Sequence, residues 1–204
     1  MARMAVDDGI GIVVATPHQL GSFSHNDGPT IRRAVDELQR MLDERQIPLR
    51  VAPGADVRIE PDLVARLRRG DVMSLADTGR YVLLELPHEI YFPLDRLLAE
   101  LAAAECVGIL SHPERNHGIL ASPEVLPPLV AQGCLLQITA GSLLGAFGRR
   151  SQLFCERLLE RGLVHFVSTD AHGVQSRRPQ LREAFDRVVA LAGAETALAL
   201  FCRN

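Results

Sequence analysis

Residues 107–115 read VGILSHPER, an apolar run that ends abruptly in a polar cluster beginning at Ser111 and His112. Its hydrophobicity is continuous rather than alternating, as in a strand buried on both faces. The same signature recurs at 10–16 (IGIVVAT), 49–57 (LRVAPGADV), 81–86 (YVLLEL), 135–139 (LLQIT) and 164–170 (VHFVSTD). Between these runs lie helical spacings. Ile31, Val35, Leu38, Met41 and Leu42 follow an Asp27-Gly28-Pro29 start signal, and Leu94, Leu97, Leu98 and Leu101 form a second set. Pro123, Pro127 and Pro128 restrict the helix expected at 122–132, while Gly133, Gly162 and Gly193 stand where helices should stop. Strand alternating with helix predicts a parallel α/β sheet or barrel.

The 204 residues, 47% hydrophobic and 23% charged, suit one ordinary domain spanning 1–204. A formal net charge of −3 argues against a surface built for nucleic acid. Cys106, Cys134, Cys155 and Cys202 are widely spaced with no C-x-x-C pair, and read as reduced thiols of a cytosolic protein. No apolar run is long enough to cross a bilayer, and MARMAVDDG lacks the apolar core of a signal peptide, so the expected location is the cytoplasm. Residues 1–8 (MARMAVDD) read as the last turns of an amphipathic helix with Met1, Met4 and Ala5 on one face. A helix that starts without an N-cap residue suggests that a strand and the beginning of that helix precede this chain.

The chemistry lies in where polar residues fall. His18, Asp56, Glu85, His112, and Asp170 with His172 each stand at the end of a predicted strand. In parallel barrels that end of the sheet carries the active site, so these six can converge from distant positions. Imidazoles with carboxylates suit a hydrolytic divalent metal site. Each residue alone has an ordinary alternative: Glu85 could pair with Arg80 or Arg96, and a single histidine at a strand end is often structural. Asp170-Ala171-His172 is stronger, because on an extended segment both side chains share a face. Arg115, and Arg177 with Arg178, could clamp phosphoryl oxygens. Gln137, Thr139 and Ser142 offer further polar groups or simple turn chemistry. Cys155 and Arg161 have the C-x5-R spacing of cysteine phosphatases, but the five residues between them favour helix, which would occupy the amides such a loop needs. His25, His88 and His117 have no assigned role, and His165 sits at the wrong end of its strand for the rim.

ATPH at 15–18, PGADVRI at 53–59, the glutamate of YVLLELP, SHPER at 111–115, QITAGSLLGAFG at 137–148 and STDAH at 168–172 together resemble the PHP (polymerase and histidinol phosphatase) superfamily. The branch is that of bacterial tyrosine-protein phosphatases of capsule and exopolysaccharide operons. The resemblance implies a distorted (β/α)7 barrel, here lacking its first strand, and a cluster of divalent ions, manganese first and iron or zinc as alternatives. It further implies hydrolysis of phosphotyrosine by metal-activated hydroxide, with an exopolysaccharide-associated tyrosine kinase as protein substrate. The metal ligands carried over are His18, Asp56, Glu85, His112, Asp170 and His172, and the phosphate-binding arginines are Arg115 and Arg178. Asp56 stands where the family usually has glutamate, the family's opening D-x-H-x-H is not in the chain, and the spacing to Arg178 is one residue long, which keeps Arg177 a candidate. Two other readings follow from the same residues: a small-molecule phosphomonoesterase of the histidinol-phosphatase kind, and a phosphotyrosine-binding remnant without turnover.

Overall fold

A computed structural model of the chain describes residues 1–202. The six expected runs yield seven strands, and an eighth, β2, follows the first run: β1 (Ile12–Ala15), β2 (His18–Gln19), β3 (Arg50–Pro53), β4 (Asp56–Arg58), β5 (Tyr81–Glu85), β6 (Val107–Ser111), β7 (Leu135–Thr139) and β8 (Phe166–Ser168). All pairings between these strands are parallel, in the order β2-β4-β5-β6-β7-β8, with β1 beside β3. Pairing of successive strands curls the sheet into a half-barrel. Among the described residues, β8 is hydrogen-bonded only to β7 and β1 only to β3.

The run at 49–57, expected as one strand, is broken at Gly54-Ala55, and its partner is broken at Thr16-Pro17. Proline has no N–H to give to a ladder. Gly54 is needed because a Cβ there would lie 2.8 Å from Val14 Cγ1. The register nevertheless holds across the break, with Ala15 opposite Pro53 and His18 opposite Asp56. The effect is a bend that turns Asp56 toward the rim without slipping the strand.

Helices follow the strands: α1 (Ala2–Asp7), α2 (Gly28–Glu44), α3 (Leu63–Arg69), α4 (Asp95–Ala102), α5 (His117–Ala121), α6 (Leu126–Ala131), α7 (Ala140–Leu143), α8 (Arg149–Glu160), α9 (Arg182–Ala192) and α10 (Ala194–Cys202). In α2 the Asp27 carboxylate accepts from Thr30 N at 2.8 Å, and Ile31, Val35 and Leu42 are buried. Leu38 and Met41, expected on that face, are instead about two-fifths exposed. The α4 spacing gives buried Leu98 and Leu101 behind buried Leu94. Two apolar clusters fill the molecule, one around β3, β4 and α2 and one around β6, β7, α8 and α10. Helix α4 joins them, since Leu98 belongs to the second and Leu101 to the first.

The ends of the chain are tied together. The Asp8 carboxylate, just after α1, accepts from Leu181 N at 2.5 Å and Arg182 N at 3.0 Å, at the start of α9. An anion there satisfies orphan amides and complements the helix dipole. In α1 itself Ala5 is buried, while Met1 is exposed. Asp8→Ala is expected to cost about 1 kcal/mol, read as a lower midpoint in thermal denaturation, whereas Asp7→Ala should leave the midpoint unchanged.

Candidate functional site

The six sequence-selected residues come together, although His18 and Asp56 open β2 and β4 rather than closing strands. Parallel pairing sets His18 directly opposite Asp56. His18 Nδ1 lies 3.3 Å from Glu85 Oε2 and 3.9 Å from Asp56 Oδ2, and His112 Nε2 lies 3.5 Å from that same Asp56 oxygen. One ligand atom from each of His18, Asp56 and Glu85 lies within 4.8 Å of the others. His172 approaches the group, its ring centroid 6.3 Å from that of His18. Glu85 thus faces His18, while Arg96 pairs with Glu100 on α4 and Arg80 lies over Tyr81.

Backbone conformation aims two of these side chains. His112 (φ 33°) and Asp170 (φ 45°) are left-handed, which costs an L-residue energy and persists only where the surroundings enforce it. His112 ends β6 after Ser111, whose hydroxyl donates to Leu84 O at 3.1 Å. The DAH segment is therefore a turn rather than the extended segment expected. Asp170 and His172 meet because the His172 ring nitrogen lies 2.9 Å from the Asp170 carbonyl oxygen.

The residues fit a divalent cation. Asp56 is buried, yet its Oδ1 has no hydrogen-bond partner, and His18 Nδ1 finds no hydrogen bond of good geometry. A buried carboxylate oxygen left unpaired among imidazoles is costly unless a cation completes it. The protonation balance points the same way. The Glu85 carboxylate is the main cause that raises the His18 pKa above its ordinary value. Burial pushes His112 down, but the Asp56 carboxylate outweighs it, so His112 is also raised. Burial pushes Glu85 up, and the His18 and His112 charges overcome that to leave it lowered.

Beside this cluster sits a cationic wall. Arg115 Nη1 donates to Asp170 Oδ2 at 2.5 Å, and Arg177 donates to the same oxygen. Both guanidinium groups lie over the Phe147 ring, at 4.4 and 5.9 Å from its centroid. The Nε atoms of both arginines are buried without a hydrogen-bond partner. Arg178 is elsewhere: it is exposed and donates to Gln175 O. His172 N donates to Arg177 O at 2.9 Å, a loop closure that turns Arg177 back to Asp170 and leaves Arg178 outside. The structure therefore places Arg177, rather than Arg178, beside Arg115.

Thr139 and Ser142 face inward. Glu114, fully buried, accepts from Thr139 N and Thr139 Oγ1 at 3.0 Å, and the Ser142 hydroxyl, 2.8 Å away, can donate in turn to Thr139 Oγ1. These bonds fix the SHPER loop to β7. Cys155 is buried within α8, and burial pushes its thiol far above the ordinary range, so it is no nucleophile. His165 Nδ1 accepts from Leu136 N at the opposite end of the sheet. Sequence reasoning passed over Phe147 and Glu114, although both lie inside the quoted QITAGSLLGAFG and SHPER stretches. An aromatic eight residues past the end of β7 carries no signal of its own.

Residues 1–204 match the family model described as "Capsular polysaccharide synthesis, CpsB/CapC". The chain is 39% identical over 186 residues to tyrosine-protein phosphatase YwqE of Bacillus subtilis (strain 168), covering 90% of this chain and 72% of that protein. It is 26% identical over 202 residues to tyrosine-protein phosphatase CpsB of Streptococcus pneumoniae, covering 96% and 83%. A solved structure described as YwqE and CpsB, "unique metal-dependent tyrosine phosphatases", superposes with a TM-score of 0.92 at 37% identity, over 97% of this chain and 80% of that one.

The metal-free chain should show a stability maximum in pH. Stabilisation from the raised His18 and His112 is complete below imidazole's ordinary 6.5 and is lost as pH rises through their folded values. That from the lowered Glu85 is present above its ordinary 4.5 and is lost as pH falls through its folded value. Chelator-treated protein should melt highest between these limits, and added divalent cation should move the maximum to higher pH, because ligation needs neutral imidazole. A melting profile flat across this range would show that these pairs do not form.

Proposed function

From the chain's membership of the CpsB/CapC capsular polysaccharide synthesis family, we propose that it is a metal-dependent tyrosine-protein phosphatase whose natural substrate is an exopolysaccharide-associated tyrosine kinase. The observation that carries this reading is a pair of arginines with buried, unpartnered Nε donors beside an imidazole and carboxylate cluster on the same rim. Either half alone has other uses. Together they supply a place for a cation and a place for a phosphate.

His18, Asp56 and Glu85 would hold a divalent cation, with His112, Asp170 and His172 as further ligands; manganese is the first candidate, and iron or zinc also suit nitrogen and oxygen donors. When bound, the ion supplies Lewis-acid charge and lowers the pKa of water near the phosphate. Arg115 and Arg177 bind the phosphoryl oxygens. Their two positive charges face the single negative charge of Asp170, so the wall keeps a net positive charge that matches an incoming anion. Phe147 holds the two planar guanidinium groups against rotation, so little order is lost when phosphate arrives. Their donors also face the charge that builds on the equatorial oxygens as the phosphorus–oxygen ester bond breaks and tyrosine leaves with the bonding pair.

Asp56 is one methylene shorter than the glutamate expected at its position. The bend at Gly54 and the direct opposition of Asp56 to His18 carry its carboxylate to the rim.

The direct test is phosphate release from a tyrosine-phosphorylated peptide with manganese present and with chelator. Turnover that the chelator abolishes is expected; a folded chain that releases nothing in manganese would overturn the reading. Arg177→Ala should lower kcat/KM by about a hundredfold, whereas Arg178→Ala should change it less than about twofold, the range of surface charges. A substrate panel separates phosphotyrosine from small phosphomonoesters, since a tenfold preference corresponds to about 1.4 kcal/mol of transition-state stabilisation.

A further inference from the structure

Outside the cluster already described, His88, Glu89 and His117 converge on the molecular surface. One ligand atom from each lies within 4.8 Å of the others, and all three side chains are exposed. His117 Nδ1 is 2.7 Å from Glu89 Oε2, and the rings of His88 and His117 stand 5.0 Å apart at 54°. They come from different loops: His88 and Glu89 follow β5, and His117 opens α5 after β6.

The two loops are locked together by buried groups beneath them. Asn116 is 4% exposed, and its Nδ2 donates to Pro87 O at 2.7 Å and to Ile90 O at 2.9 Å, on either side of the His88-Glu89 pair. Its Oδ1 accepts from Ile119 N at 2.8 Å, so the same side chain caps α5. His117 N donates to His88 O at 2.9 Å. The contact is so close that a Cβ on Gly118 would lie 2.4 Å from Tyr91 N. An ordinary surface ion pair needs no such scaffold and loses side-chain entropy in forming. Here the backbones that carry the three side chains are fixed before any ligand arrives, which is what a metal site requires.

We propose that His88, Glu89 and His117 form a second site, separate from the central cluster, for a borderline transition-metal dication such as Zn2+. Two imidazoles and one carboxylate are a common donor set for such ions and leave coordination positions open to water or an anion. Metal–ligand distances of about 2.1 Å set tetrahedral donors about 3.5 Å apart. Exposed side chains can close that gap by rotation alone. The cation would lie between His117 and Glu89, two residues after Arg115 in sequence. It therefore adds positive charge beside the wall that faces an anionic substrate.

The site stands apart from the phosphatase reading and is tested by metal binding alone. Metal-free protein is titrated with Zn2+ against a chromophoric chelator, using the parent chain, His117→Ala, Glu89→Gln and Asp56→Asn. The expected result is one fewer tightly bound ion in His117→Ala and at least tenfold weaker binding of one ion in Glu89→Gln, with circular dichroism and melting unchanged. Asp56→Asn should retain this ion, and manganese-supported activity of His117→Ala should equal that of the parent. Equal zinc stoichiometry and affinity in the parent, His117→Ala and Glu89→Gln would overturn the proposal. Should His117→Ala fail to fold, Glu89→Gln decides alone, since its carboxylate is largely in solvent.

Discussion

Parallel pairing of successive strands is the constraint on which the molecule depends. A parallel ladder sends every strand the same way, so every strand end arrives on one rim, and the register then decides which side chains are neighbours. His18 opposite Asp56, Asp56 opposite Leu83 and Arg58 opposite Glu85 are hydrogen-bonding facts about backbones. Their consequence is a cluster of imidazoles and carboxylates drawn from positions far apart in sequence. A slip of one residue would turn each of these side chains to the other face.

Two carboxylates divide the work behind that rim. Glu114 lies inside the protein and ties the loop of His112 and Arg115 to β7 through Thr139. Asp170 lies at the surface of the site and gathers Arg115 and Arg177. The first is spent on structure: its Oε1 accepts from a backbone amide and a hydroxyl, which offsets part of the cost of burial, while its Oε2 has no hydrogen-bond partner among the described residues. The second is arranged against a surplus of positive charge, which leaves room for an anion. The Glu85 carboxylate is held below its ordinary range by His18 and His112, and those imidazoles are raised by Glu85 and Asp56.

Much of this was legible in the chain. All six continuous apolar runs gave strands; burial on both faces holds best for β5 and β6, whereas β1 has no buried residue and Ile12 is 70% exposed. The runs also pointed to the six residues, with Glu85 closing β5 and His112 following β6, whereas His18 and Asp56 open β2 and β4 and Asp56 is buried. Other features had no local signal. The bend at Gly54 comes from the close approach of Val14, about forty residues away. Leu38 and Met41 share the helical spacing of buried residues, but α2 buries a narrower stripe than that spacing allows.

Arg177 and Arg178 show where the boundary falls. Sequence determined that guanidinium groups follow the DAH segment, that carboxylates and imidazoles close the strands, and that the pattern is parallel α/β. It could not choose between adjacent arginines, because neighbouring residues in a loop can point in any direction. The hydrogen bond from His172 N to Arg177 O and the Asp170 carboxylate made that choice. Likewise, no spacing rule brings Phe147 beneath two arginines, or His117 onto His88 and Glu89. Patterning reports how much of a residue is buried and on which face of its own element, whereas contacts between elements are set by the packing of the whole chain.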